Sequence, residues 1–128
     1  MPTILLVEDD RMITAMLTEF LQLEGYTVLP AAHGGEGLTQ LQHHTVDLVL
    51  SDVHMPELNG VAFYEHLRAD PTYRVQPFIF MSALRPPDLT TADPYLAFLP
   101  KPLDLATLLS TIARMIEQQQ AAIEHESP

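Results

Sequence analysis

Short apolar runs alternate along this chain with stretches in which apolar residues recur at three- and four-residue spacing. That alternation is the signature of βαβ units and a parallel sheet covered by helices on both faces. Residues 4–7 read as a first buried strand, and Glu8-Asp9-Asp10 follow it. A helix comes next, with Ile13, Met16, Leu17, Phe20 and Leu21 on one face and Gly25 as its left-handed stop. Residues 26–29 form a weaker second strand, and 37–44 a second helix with Leu38 and Leu41 inward. The apolar run 48–50 is a third strand ending on Asp52; helix 61–69 then turns Ala62, Phe63 and Leu67 to the sheet and stops at Asp70-Pro71. Residues 78–81 are a fourth strand ending at Ser82-Ala83, and 96–99 a short fifth one ending in Pro100-Lys101-Pro102. Between them, 84–94 carries Pro86, Pro87 and Pro94, which limits a fourth helix to one or two turns. From Leu103 a last helix buries Leu105, Leu108, Leu109, Ile112 and Ile116.

The most informative stretch is the one around Asp52. An apolar strand delivers a carboxylate to its own carboxyl end, followed by Pro56-Glu57-Leu58-Asn59-Gly60. Ligands of parallel α/β sheets bind at the carboxyl ends of strands, so Asp52 is placed for a site rather than for a core. A turn-starting Asp that bonds nearby backbone N–H groups is the competing explanation. Four of the five strands end in this way, on Glu8 and Asp9, Asp52, Ser82 and Lys101. Their convergence on one sheet edge describes a single site. Lys101 is the only lysine and sits between two prolines, a poor place for a merely solvating side chain.

Composition narrows the function. The 128 residues suit one domain, divided here into a folded unit over 1–118 and a polar tail over 119–128 that extends the last helix. Six Lys plus Arg against seventeen Asp plus Glu give a net charge of −11, which disfavours direct binding to nucleic acid or to anionic membranes. Without cysteine there are no disulfides and no thiol chemistry, and the N-terminus lacks a basic leader, so a cytoplasmic protein is expected. The histidines show no metal-ligand spacing and are expected to be solvated, and the Met and Phe residues to pack the core.

Three carboxylates at one point raise each other's pKa unless a cation relieves them. A hard divalent ion does so, and Mg²⁺ suits an open acidic cluster because it keeps waters and takes few protein ligands. Beside such an ion an Asp can act as nucleophile toward a phosphoryl group, with Lys101 offsetting charge and the Ser82 hydroxyl donating to a phosphoryl oxygen.

Val7-Glu8-Asp9-Asp10, Leu50-Ser51-Asp52-Val53-His54-Met55-Pro56 with Gly60, Met81-Ser82-Ala83 and Lys101-Pro102 closely resemble the receiver domain of two-component response regulators. The resemblance covers the chain to about Glu117. It implies a flavodoxin-like, doubly wound α/β fold with five parallel strands in the order 2-1-3-4-5 and five helices. It implies Asp52 as phospho-acceptor, and Glu8, Asp9, Asp52 and the backbone carbonyl of His54 as ligands of Mg²⁺ (or Mn²⁺). Ser82 matches the switch hydroxyl, Lys101 the phosphate-binding lysine and Phe98 the aromatic switch position, with a Lys101-Pro102 bond that is commonly cis. The implied partners are a sensor histidine kinase or phosphotransfer protein and a downstream protein, with homodimerisation through the face around the fourth helix as a family habit. Such a protein is a switch and no enzyme beyond its own phosphorylation and dephosphorylation.

Some features depart from the family pattern. Ser82 and Lys101 are nineteen positions apart, a short spacing that puts the fourth helix in question. Phe98 has no hydroxyl to gain or lose on moving. The positions that tune dephosphorylation in the family are His54 and Leu84 here, and an apolar Leu84 cannot position an attacking water, so a long-lived phosphoryl state is expected. Leu105, Leu109, Ile112, Ile116, Gln119 and Ile123 also fit a short heptad pattern, fewer than three repeats long, against which a sheet-facing helix with a frayed tail is the simpler expectation.

Other readings fit less well. A flavodoxin-like electron carrier needs a phosphate-cradling loop after the first strand, where Glu8-Asp9-Asp10 would repel a flavin phosphate. A Mg²⁺-dependent phosphohydrolase wants a second acid two residues after its nucleophile, where His54 stands. A phosphorylation-independent interaction module with the same fold, or the receiver part of a larger regulator, are the closer alternatives.

Overall fold

The computed structural model describes residues 1–54, 59–83 and 93–126. Five strands, β1 (Thr3–Val7), β2 (Thr27–Ala31), β3 (Leu48–Asp52), β4 (Phe78–Ser82) and β5 (Leu96–Pro100), form one parallel sheet in the order β2-β1-β3-β4-β5. Among the described residues four α-helices accompany it: α1 (Arg11–Leu23), α2 (Gly34–His43), α3 (Gly60–Ala69) and α4 (Leu105–Glu126). Most of the proline-bearing segment expected to hold a short further helix, and Leu84 with it, lies outside the described residues.

Strand residues alternate between two cores because successive side chains point to opposite faces. Ile4, Leu6, Leu48, Leu50, Ile79 and Met81 pack with Leu17 and Leu21 of α1 and Leu108, Ile112, Met115 and Ile116 of α4. Leu5, Val7, Val49, Phe78 and Phe80 pack on the other side with Leu41 of α2 and Phe63 and Leu67 of α3. Most of these residues are wholly buried, which explains why the strands read as continuous apolar runs.

The boundaries of several elements differ from the expected ones. Helix α2 starts three residues earlier, at Gly34, because His33 caps it: the His33 Nδ1 accepts from the N–H groups of Gly35 and Glu36. Glu36 in turn accepts from the Ala32 N–H, so the start is held from both sides. His33 is therefore a structural cap and not a simply solvated side chain. Strand β2 runs two residues later than expected, to Ala31, since Tyr26 belongs to the turn after Gly25, whose φ is +96°. Met16, expected inward, is 51% exposed; the sheet-facing side of α1 is carried by Ile13, Leu17, Phe20 and Leu21. Helix α4 buries Ile112 and Ile116 against the sheet, adds Met115, and continues as helix to Glu126 with Ile123 half exposed.

Candidate functional site

The three consecutive acids after β1 do different work. Glu8 prolongs the strand pairing, donating its N–H to the Ala31 carbonyl, and its side chain is buried. Asp10 caps α1 by accepting from the N–H groups of Met12 and Ile13. Asp9, between them, is exposed at the rim. Asp52 ends β3 and is buried, with Oδ1 accepting from the Val53 N–H at 2.8 Å. One carboxylate oxygen each of Glu8, Asp9 and Asp52 lie within 4.8 Å of one another, the one such cluster among the described residues.

Lys101 reaches this cluster because β4 and β5 are zipped to their ends: its N–H donates to the Ser82 carbonyl at 2.9 Å. The Nζ stands 3.1 Å from Glu8 Oε1 and 3.3 Å from Asp52 Oδ2. Ser82, the last residue of β4, is buried, and its strand neighbour Met81 is in register with Asp52. The Lys101-Pro102 peptide is cis, as the resemblance implies. Phe98 lies apart from the acids, half buried in β5 against the aromatic core of Phe63, Phe78 and Phe80. His54 is exposed and follows the Asp52 strand directly.

The electrostatics follow from burial. Glu8 is pushed up to about 7, first by burial and then by the hydrogen bond and charge of Asp52, with Lys101 pulling the other way. Burial alone would lower Lys101, but the hydrogen bonds and charges of Glu8 and Asp52 outweigh it and hold its pKa above the usual lysine value. Glu8 Oε2 is buried with no hydrogen-bond partner. A buried, unpartnered carboxyl oxygen on a residue clustered with two further carboxylates fits a hard cation better than it fits an empty site. The donor set thus suits a divalent ion bound by oxygens.

Two features of the structure were not legible in the sequence. Gly60 belonged to the matched motif, but its reason is spatial: its N–H donates to the Val53 carbonyl, and a Cβ there would stand 2.2 Å from the Asp52 carbonyl oxygen. Helix α3 can start against the end of β3 only because that atom is missing. The other is Arg68, which bonds Asp93 at 2.6 Å and three backbone carbonyls before β4 and β5, while the Tyr64 hydroxyl donates to the same carboxylate. Partners this distant along the chain leave no local pattern.

Comparison with known proteins agrees with this geometry. Residues 4–113 match the model of the response regulator receiver domain. The chain is 38% identical to the transcriptional regulatory protein CpxR of Klebsiella pneumoniae, over all of this chain and 57% of that protein. It is also 38% identical to the sensor kinase CckA of Brucella abortus, over 91% of this chain and 13% of the kinase. It thus spans only part of the curated relatives it matches. The receiver domain of a histidine kinase from Syntrophus aciditrophicus superposes with a TM-score of 0.83 at 28% identity, covering 92% of each chain. With sheet order, acidic cluster and family match in agreement, the chain belongs to the receiver domains of two-component response regulators.

Proposed function

We propose that the protein is a phosphorylation-dependent signalling switch that takes a phosphoryl group onto Asp52 in a Mg²⁺-dependent reaction. The observation that carries this is the meeting of Glu8, Asp9 and Asp52 within 4.8 Å, with one oxygen of Glu8 left without a partner and Lys101 bridging two of the acids. Glu8, Asp9, Asp52 and the backbone carbonyl of His54 would hold the ion, Mg²⁺ or Mn²⁺; when bound, it neutralises carboxylate charge and binds phosphoryl oxygens.

The chain's own groups account for the rest. A carboxylate oxygen of Asp52 attacks phosphorus, a new P–O bond forms, and the bond to the donor's leaving group breaks. The Lys101 ammonium offsets phosphoryl charge, and the Ser82 hydroxyl donates to a phosphoryl oxygen. Drawing Ser82 toward the phosphoryl group strains the end of β4, and Phe98 in neighbouring β5 is the residue that carries the change outward. The donor is a sensor histidine kinase or a phosphotransfer protein, in the cytoplasm, and the output is a changed affinity for a downstream protein or a second copy. A net charge of −11 keeps nucleic acid out of direct reach. The catalytic role is limited to the protein's own phosphorylation and dephosphorylation. No helix among the described residues is long and apolar enough to cross a membrane.

Amide hydrogen exchange on the Mg²⁺-loaded protein, with and without beryllofluoride as a phosphoryl mimic, tests the switch. Altered protection in peptides holding Ser82 and Phe98 is the expected result. Unchanged exchange throughout, with the mimic shown to be bound, would instead favour the phosphorylation-independent interaction module.

A further inference from the structure

A groove of about 350 Å³ opens beside the acidic cluster, between the start of α1 and the end of β2. Glu8 and Asp9 line it, and so does Arg11, the first residue of α1. Arg11 is exposed and has no hydrogen-bond or ion-pair partner among the described residues. The other cation at the site, Lys101, is already engaged by Glu8 and Asp52. An anionic phosphodonor at Asp52 meets the exposed carboxylate of Asp9 beside it, on a domain whose net charge is −11. One uncommitted guanidinium lines the groove beside Glu8 and Asp9.

We propose that Arg11 is a donor-recognition residue, which offsets the acidic field for anionic phosphodonors and favours the more highly charged ones. The inference rests on the phospho-acceptor reading of Asp52. In the reaction concerned, an acyl phosphate transfers its phosphoryl group to an Asp52 oxygen, the acyl C–O–P bridge breaks at phosphorus, and the carboxylate leaves with the bridging electron pair. Arg11 touches none of the reacting atoms in this scheme; it acts on the encounter, so its effect belongs in the bimolecular rate constant and disappears at high salt.

The position separates charge from structure. A carboxylate in the first turn of α1 complements the helix dipole, so Arg11→Glu leaves the fold intact or steadies it. It also adds negative charge beside the metal ligands, so Mg²⁺ affinity does not fall. A loss of phosphorylation rate in this variant therefore cannot come from unfolding or from lost metal.

The test is the rate of Asp52 phosphorylation at saturating Mg²⁺, followed by intact mass, with acetyl phosphate and with the less charged phosphoramidate. At low ionic strength Arg11→Gln should lower the acetyl phosphate rate about fivefold and Arg11→Glu about twentyfold, as expected for one and two charges acting on a dianion across a few water layers. Phosphoramidate should be affected less, Arg11→Lys should restore the rate, and 1 M salt should erase the differences. Equal low-salt rates for all variants, in a wild type that is phosphorylated, would overturn the role of Arg11. A wild type that takes up no phosphoryl group at all would overturn the acceptor reading instead.

Discussion

At the scale of single residues, the site is a balance between buried carboxylates and the Lys101 ammonium that bonds two of them. Glu8 is buried deeply enough that its carboxyl is pushed up to about 7, while Asp9, one residue on, is exposed. The separation arises because β1 ends between them: the last paired N–H belongs to Glu8, and Asp10 is already spent on capping α1. Gly60 shows how little room the end of β3 leaves. A Cβ 2.2 Å from the Asp52 carbonyl cannot be accommodated by a rotamer change, since both atoms belong to backbone. Gly60→Ala should therefore cost roughly 2 kcal/mol in urea unfolding, within the usual range for overpacking, and should weaken Mg²⁺ binding by displacing the loop after Asp52. An unchanged unfolding midpoint and unchanged Mg²⁺ affinity would show that the approach of α3 is looser than this geometry requires.

At the scale of elements, α3 is tied to the starts of β4 and β5 by a polar cluster under the sheet. Arg68 is 15% exposed and Asp93 16%, and Tyr64 stacks edge-on against Phe78 and Phe80 while donating to Asp93. Burial alone would raise Asp93, but hydrogen bonds from Tyr64, Arg68 and the Tyr95 N–H, with the Arg68 charge, hold it below the usual carboxylate range. Burial first, and then the bond to Asp93, push Tyr64 up to about 12. The signs differ at the two ends of the pH scale. Asp93, depressed in the folded state, stabilises above the unfolded carboxyl pKa, and that contribution is lost as pH falls through the depressed value. Tyr64, raised in the folded state, contributes fully below the unfolded value of 10.0, and that contribution is lost as pH rises toward about 12. Arg68→Ala should cost about 3 kcal/mol near neutrality by leaving Asp93 buried without its ion-pair partner. It should flatten the acid limb of the stability profile, because the Arg68 bond and charge help depress Asp93, but not the alkaline limb, because Arg68 lowers Tyr64 rather than raising it. Denaturant melts across pH check this; a variant with the wild-type profile would remove the cluster from the account of how β5 is held.

Long elements were legible where apolar spacing alone decides them. The strands 4–7 and 78–81 and the α4 stripe at Leu108, Ile112 and Ile116 follow directly from burial of continuous or helically spaced residues, while 96–99, only partly buried at the sheet edge, still reads as a short apolar run. The start of α2 was not legible, because histidine is an unusual cap and Gly34-Gly35 looks like loop until the His33 ring is seen accepting from it. Met16 was misjudged for a different reason: its spacing from Leu17 and Phe20 fits a wide apolar face, but the sheet presents a narrower one.

At the scale of the whole molecule, five parallel strands bring to one edge residues that are as far apart in sequence as Glu8 and Lys101. The candidate site was legible as a set because each of its polar members ends an apolar strand, and parallel strands share a carboxyl edge. What spacing could not supply was the order of engagement within the set: which acid is buried, which oxygen lacks a partner, and that Lys101 bridges Glu8 and Asp52. Those depend on how far each strand runs before it turns. The molecule's charge of −11 then adds a negative field to that of the clustered carboxylates, within which Lys101 bonds Glu8 and Asp52.

The central claim is that this edge accepts a phosphoryl group on Asp52 with the help of a divalent ion. Intact-mass spectrometry after incubation with acetyl phosphate, with and without Mg²⁺, on the wild type and Asp52→Asn, addresses it most directly. The account predicts one phosphoryl adduct that requires both Mg²⁺ and Asp52. An adduct of equal yield in Asp52→Asn, or none in the wild type with Mg²⁺ present, would contradict it.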